Sequence, residues 1–298
     1  MDNRPRFSQK HPFLFGLFLI VLAAVLFLGA AAFLRPGGGT AALFASQKLG
    51  LVRIEGMILD SAEIVDFLRE LTDNTAVKGV LVRVDCPGGT IAPSQEMFRA
   101  VASLAEKKPV VASFGTVAAS GGYYAVAGAS FVMANPGSVT ASIGVKAEYL
   151  TFEGTLEKLG IRQELLASGP LKAAGSPLRP LTPEQRRQLQ GMIEDMHAQF
   201  IGDVAAARRL DPKQVAALAD GRALTGRQAL AVGLVDALGG QEQAVEKLKE
   251  LCGIPLTERV PVLEGPPEKA SLLRKLLTAF GLDARSLARY SGWSFSYK

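Results

Sequence analysis

The chain has 298 residues, of which 48% are hydrophobic, and a formal net charge of +5. This length is sufficient for one large domain or two small ones with a full hydrophobic core. The charge does not indicate a nucleic-acid-binding protein, because residues 1–35 contribute +3 and residues 266–298 contribute +4. The middle of the chain is therefore slightly acidic, which gives no field to attract a phosphate backbone.

Residues 13–34 form an uninterrupted run of apolar and small residues without a charge. A helix of this length covers a hydrocarbon core of roughly 30 Å, so we predict a transmembrane signal anchor. Basic residues precede the run, which by the positive-inside rule leaves residues 1–12 in the cytoplasm. The alternative is a cleaved signal peptide that ends at the small residues 30–32. Both interpretations put the rest of the chain on the extracytoplasmic side of the cytoplasmic membrane.

Strand-like and helix-like segments alternate after a glycine-rich linker at residues 35–48. Such alternation indicates βαβ units with parallel pairing, and hence one α/β domain over residues 49–255. The predicted helices begin near Ser61, Pro93 and Thr182, the last with a capping box. The predicted strands cover residues 51–58, 80–85, 110–114, 131–133 and 163–167.

Residues 256–298 form a basic tail with leucines at helical spacing. Two interpretations stay open for this tail. It is either a helix that packs on its own domain or one that lies on an anionic membrane surface.

The chain has two histidines, His11 and His197. His11 precedes the predicted membrane span, and His197 lies in a polar helical run where an exposed side chain is expected. A Ser-His-Asp triad therefore lacks a suitable histidine. The two cysteines, Cys86 and Cys252, either pair or remain free thiols. Because no Cys/His cluster is present, we expect neither a metal nor a cofactor.

Two glycine-rich segments follow predicted strands, where α/β folds place their functional sites. In the first, Gly88 and Gly89 leave backbone N–H groups accessible, as an oxyanion hole requires, although an ordinary turn explains this motif equally well. In the second, Ser120 opens a helix and is followed by Gly121. Ser120 is either a nucleophile, with the Gly121 N–H as an oxyanion donor, or a simple helix cap.

A serine nucleophile without a histidine needs another base, and a lysine serves when desolvation keeps its amine neutral. Lys172 is the preferred candidate, because it lies in a loop of small and turn-forming residues with no acidic residue nearby in sequence. On its own, such a position is more typical of a solvated lysine. Lys146 is a weaker candidate.

Five short motifs occur in order within residues 49–252, and each is weak alone. They are VRVDCPGG at 82–89, ASGGYY at 119–124, TASIGV at 140–145, SGPLK at 168–172 and GRALTG at 221–226. Together they resemble the signal peptide peptidase A family, also called protease IV, in its short single-domain form.

This resemblance implies a fold of the crotonase/Clp-protease type, a spiral of ββα units, preceded by the transmembrane helix. It implies a serine peptidase with Ser120 as nucleophile and Lys172 as base, and with Ser142 orienting that lysine. Cys86 stands where many relatives have serine, but the glycines after it are intact.

The resemblance also implies oxyanion donors at Gly89 and Gly121, with Gly88 in support. It implies a membrane-bound homo-oligomer that degrades signal peptide remnants and other extended apolar peptides. Two alternatives stay open, a Ser–Lys membrane peptidase partnered with stomatin-like proteins and a membrane-tethered scaffold without activity. A crotonase-type acyl-CoA enzyme shares the fold, but its chemistry belongs in the cytoplasm.

Overall fold

The structure is a computed structural model that describes residues 20–26 and 47–266. Residues 20–26 form a short helical segment. The rest of the predicted span over residues 13–34 lies outside the described residues, as does the predicted tail beyond residue 266. Among the helices that the structure describes, none is both long enough and apolar enough to cross a membrane.

Eight strands within residues 47–266 form one sheet. They are β1 (Lys48–Glu55), β2 (Val77–Cys86), β3 (Val110–Ala119), β4 (Phe131–Ala134), β5 (Val139–Ala141), β6 (Ala223–Thr225), β7 (Ala237–Leu238) and β8 (Val262–Gly265). The order is β6-β5-β3-β2-β1-β8, and β4 pairs with β3 and β7. All these pairings are parallel except that of β5 with β6, which confirms the predicted α/β class.

Eight helices are described between or after these strands. They are α1 (Ala62–Asp73), α2 (Ile91–Ala105), α3 (Gly121–Tyr124), α4 (Glu153–Lys158), α5 (Pro183–Arg208), α6 (Pro212–Leu218), α7 (Gly226–Ala231) and α8 (Gln241–Leu251). The capping box predicted for the long helix α5 is confirmed. The Thr182 hydroxyl accepts from the Gln185 N–H, and the Gln185 side chain accepts from the Thr182 N–H.

The central strands β1, β2 and β3 are buried on both faces, as is usual for parallel strands. Because side chains alternate along a strand, Val80 and Val82 belong to one apolar cluster and Leu81 to another. The larger cluster includes residues of α1, α2 and α5, and the smaller one includes Ala244 and Leu248 of α8. This packing fixes the carboxyl ends of β2 and β3, where the candidate residues lie.

The predicted strand at residues 163–167 is wrong, because this segment is irregular and exposed. Its apolar residues match a strand in pattern, but no neighbouring strand pairs with it in the described residues. Strand β3 is longer than predicted and continues through Gly115 to Ala119, because its second half pairs with β5. Strand β8 lies in the predicted tail, yet it pairs with β1 at the edge of the sheet.

Candidate active site

The glycine turn after β2 and the serine turn after β3 lie side by side. Cys86, at the end of β2, is in register with Ala118, near the end of β3. A methyl group placed on Gly88 would come within 2.9 Å of Ser120 Cβ. The structure therefore brings the two segments that the sequence singled out to one edge of the sheet.

Ser120 occupies a sharp turn between β3 and α3. Its backbone has φ 52° and ψ −123°, a conformation that residues other than glycine rarely adopt. Its side chain makes no capping hydrogen bond to α3, so the helix-cap interpretation is wrong. The residue is partly exposed. A strained strand-to-helix turn that presents a serine hydroxyl is the geometry of the nucleophile elbow in α/β-hydrolases.

The backbone N–H groups of Gly89 and Gly121 lie close together, and neither has a hydrogen-bond acceptor among the described residues. A methyl group on Gly121 would be 3.2 Å from the Gly89 nitrogen. Neither N–H donates a hydrogen bond within the described residues. For Gly121 the reason is that it opens a helix, where the first N–H groups have no intrahelical acceptor. Two such donors beside a serine can stabilise a negatively charged oxygen.

Gly88 shapes this turn through its backbone. Its φ of +114° is accessible to glycine but strained for other residues. The Cys86 thiol stabilises the turn, because Sγ accepts from the Gly88 N–H at 3.3 Å and donates to the Gly88 carbonyl at 3.6 Å. Burial raises the pKa of the Cys86 thiol to about 11, so this group is neutral in the folded protein. Both Cys86 and Cys252 are free thiols, and no disulfide joins them.

Ser142 lies next to the same edge. The Ser120 N–H donates to the carbonyl of Ala141 at 2.8 Å, which places Ser142 directly after the residue that Ser120 contacts. The Ser142 hydroxyl donates to the carbonyl of Gly221 at 3.3 Å, and its own backbone φ is 50°. No hydrogen bond joins Ser142 and Lys172 within the described residues.

Lys172 is exposed, and it forms no hydrogen bond with this cluster among the described residues. Its backbone N–H donates to the Gly169 carbonyl at 3.2 Å, but its side chain has no hydrogen-bond or ion-pair partner among the described residues. The loop that carries it is held at one point, where the Gln185 side chain of α5 donates to the Pro170 carbonyl at 2.8 Å. The structure thus brings together Ser120 and the glycines, whereas the Lys172 side chain forms no hydrogen bond with them in the part of the chain that the structure describes.

The rival bases form no hydrogen bond with Ser120 among the described residues. Lys146 is exposed and forms an ion pair with Glu148 at 3.2 Å. His197 is partly buried rather than exposed, and its Nε2 is buried without a hydrogen-bond partner in the described residues. The sequence prediction of an exposed histidine failed because His197 lies three residues before the buried Phe200, on the same face of α5.

Two features of the site were not singled out from the sequence. Ile58 follows β1 and forms an isolated parallel bridge with Gly89, so that its backbone runs alongside the glycine turn. Tyr124 at the end of α3 donates to Asp203 of α5 and stacks on Phe200, which ties the serine helix to α5. The sequence predicted Ile58 as the last residue of the first strand, which in fact ends before it, and Tyr124 as part of a motif. Neither pattern indicates these contacts.

A partly exposed serine at a strained turn, next to two unoccupied N–H groups, suits acyl transfer. A family model described as Peptidase family S49 matches residues 102–255. A putative protease of Synechocystis is 44% identical over 210 residues, or 70% of this chain and 76% of that protein. The chain belongs to peptidase family S49. The resemblance drawn from the five motifs is confirmed.

Other relatives of this S49 chain carry the family name that its motifs suggested. The putative signal peptide peptidase SppA of Enterococcus faecium is 35% identical over 69% of this chain and 64% of that protein. Protease 4 of Salmonella typhi is 38% identical over 62% of this chain and 30% of that protein. The S49 chain therefore spans less than two thirds of the length of both of these relatives.

Proposed function

We propose that this S49 chain is a membrane-anchored serine endopeptidase with Ser120 as nucleophile and Lys172 as general base. As general base, Lys172 accepts the proton of the Ser120 hydroxyl, Ser120 attacks a peptide carbonyl, and the resulting oxyanion binds the N–H groups of Gly89 and Gly121. The lysine then protonates the leaving amine, and water releases the acyl group in the same way. Ser142 orients the lysine.

The observation that carries this proposal is the backbone of Ser120. A non-glycine residue at φ 52° and ψ −123° stores strain of about 1–3 kcal/mol, which a fold retains where it serves a function. Glycine would relieve this strain, but it has no side chain that can act as a nucleophile. Membership of the peptidase family also supports the proposal. So do the N–H groups of Gly89 and Gly121, which have no acceptor among the described residues.

For this chemistry the Lys172 amine must lie within hydrogen-bond distance of a Ser120 hydroxyl. We propose that it does so when the segment at residues 146–181 packs against Ser120 of its own chain or of a second copy. This segment is rich in exposed apolar side chains, which water disfavours and an interface would bury. They are Tyr149, Leu150, Phe152, Leu159, Ile161, Leu165, Leu166, Leu171 and Leu178. A homo-oligomer would provide such an interface.

The sequence and the family membership support a proposed location and substrate class. The apolar run at residues 13–34 would anchor the chain in the cytoplasmic membrane, with the peptidase domain on the extracytoplasmic side. The substrates would be signal peptide remnants and other extended apolar peptides. The exposed side chains of Met57 and Leu59, on either side of the Ile58 bridge to Gly89, offer apolar contacts next to the oxyanion donors. The domain would have the crotonase/Clp-type spiral.

The test compares the full-length protein in detergent micelles with its Ser120→Ala variant on two fluorogenic peptides of equal length. One peptide is rich in leucine and alanine, and the other is polar. We expect faster hydrolysis of the apolar peptide and a loss of at least about a thousandfold in Ser120→Ala. Undiminished hydrolysis by folded Ser120→Ala would contradict the proposal. Equal hydrolysis of both peptides would contradict the proposed substrate class only.

A further inference from the structure

Ser94 lies where the two candidate oxyanion donors meet. It belongs to the first turn of α2 and is only 1% exposed. A methyl group on Gly121 would collide with the Ser94 hydroxyl and lie 3.3 Å from Ser94 Cβ. The same methyl group would be 3.2 Å from the Gly89 nitrogen. Ser94 therefore packs against the residue that carries one N–H group, close to the residue that carries the other.

The orientation of Ser94 is fixed by a chain of hydrogen bonds. Its hydroxyl donates to the carbonyl of Thr90 at 2.8 Å. The backbone N–H of Thr90 donates to the carbonyl of Ile58 at 2.8 Å, and the Thr90 hydroxyl donates to the same oxygen at 3.1 Å. The Ile58 N–H in turn donates to the carbonyl of Gly88 at 2.9 Å. Ser94 is thereby connected to the glycine turn as well as to Gly121.

A serine that donates to a carbonyl four residues earlier is by itself a common local feature of helices. The position of Ser94 adds a second property, because its hydroxyl fills the space that the missing side chain of Gly121 leaves. A smaller side chain would leave a gap into which the start of α3 can shift, and a close-packed interior transmits such shifts to its neighbours. Gly121 is the first residue of α3, so its N–H group would move with such a shift.

We propose that Ser94 is a positioning residue that sets the separation between the N–H groups of Gly89 and Gly121. This inference rests on the proposed function, in which both groups bind the oxyanion. A misplacement of catalytic groups by 1 Å can cost about a hundredfold in rate. Removal of the Ser94 hydroxyl should therefore weaken binding of the transition state more than binding of the substrate.

The experiment compares full-length parent, Ser94→Ala and Ser138→Ala for hydrolysis of the apolar peptide. Ser138 is a matched control, because it is also buried and its hydroxyl donates to a carbonyl, that of Gly115 at 2.6 Å. We expect Ser94→Ala to lower kcat about tenfold to a hundredfold with KM within about twofold. Both serine variants should show similar small decreases in Tm, and Ser138→Ala should keep the parent kcat.

A second readout separates positioning from a general loss of structure. A peptide aldehyde forms a tetrahedral adduct whose oxygen needs the oxyanion donors, whereas the corresponding peptide alcohol does not. Ser94→Ala should bind the aldehyde about tenfold or more weakly and the alcohol unchanged. Parent-like kcat and aldehyde affinity in Ser94→Ala would overturn the inference alone. If Ser120→Ala retains hydrolysis, the proposed function fails, and the inference fails with it.

Discussion

The backbone N–H of Ser120 donates a hydrogen bond of 2.8 Å to the carbonyl of Ala141. This bond continues the pairing of β3 with β5 to the last residue before the turn, so the turn is held on one side by the sheet. On the other side, Tyr124 fixes α3 to α5. Because both ends are anchored, the chain can hold Ser120 in a backbone conformation that it would otherwise leave.

This strain predicts how two substitutions at Ser120 differ in stability. Ser120→Gly and Ser120→Ala both remove the hydroxyl, but only alanine keeps the Cβ atom that makes a φ of 52° unfavourable. We expect the free energy of unfolding of Ser120→Gly to be about 1 kcal/mol higher than that of Ser120→Ala. This difference already allows for the greater freedom of glycine in the unfolded chain. Urea unfolding of the two variants measures the difference. A Ser120→Ala variant that is more stable than Ser120→Gly would contradict a strained backbone at Ser120.

A methyl group at Gly88 should damage both folding and activity. The Gly88→Ala side chain would meet Ser120 Cβ at 2.9 Å with a backbone φ of +114°. We expect a decrease of about 2 kcal/mol or more in the free energy of unfolding and a large decrease in kcat. Gly137→Ala is the control, because a methyl group there has no neighbour within 4 Å. Thermal unfolding and peptide hydrolysis test both, and equal effects would contradict this role for Gly88.

The sequence predicted the parts of the site that follow strongly patterned strands. Gly88, Gly89 and Ser120 come after apolar, β-branched runs, and parallel strands bring their carboxyl ends to one edge. The position of Lys172 could not be predicted in this way, because the strand predicted before its loop, at residues 163–167, is not formed. Ser94 was missed because buried serines in first turns of helices usually have only local roles.

Strand β3 is longer than predicted, and the strand predicted at residues 163–167 is absent, for the same reason. Strand formation depends on a partner as much as on local composition. The predicted strand ended at residue 114, yet pairing with β5 carries β3 to Ala119. Residues 163–167 have strand-like composition, but no described neighbour offers them a partner. Partners distant in sequence are not visible in a local pattern.

The exposed apolar segment predicts self-association. Leu166 is 99% exposed, and a charge there should oppose burial in an interface. We expect Leu166→Glu to shift the full-length protein in detergent toward monomer and to lower hydrolysis of the apolar peptide. Leu256→Glu is the control, because Leu256 is 59% exposed outside this segment. Sedimentation velocity measures the assembly, and an unchanged distribution in Leu166→Glu would contradict an interface at this residue.

The buried thiol of Cys86 predicts a loss of stability at high pH. Burial raises its pKa from 9.0 to about 11, so the folded chain keeps this proton where the unfolded chain has lost it. The contribution of this thiol to the free energy of unfolding is therefore fully present below pH 9 and is lost as the pH rises toward 11. The loss amounts to up to about 2 kcal/mol. Cys86→Ser lacks this titration. The free energy of unfolding of the parent should fall relative to Cys86→Ser between pH 8 and pH 11, and a constant difference would refute the prediction.

The most direct test of the account is whether Ser120 and Lys172 act as one catalytic unit. Residues that act together are strongly non-additive, so removal of either should cost nearly as much as removal of both. The measurement is kcat for Ser120→Ala, Lys172→Ala and the double variant on the apolar peptide, with folding checked by circular dichroism and Lys146→Ala as control. We predict that all three variants lose activity to the same residual level, while Lys146→Ala stays active. Parent-like activity in folded Lys172→Ala would contradict the account.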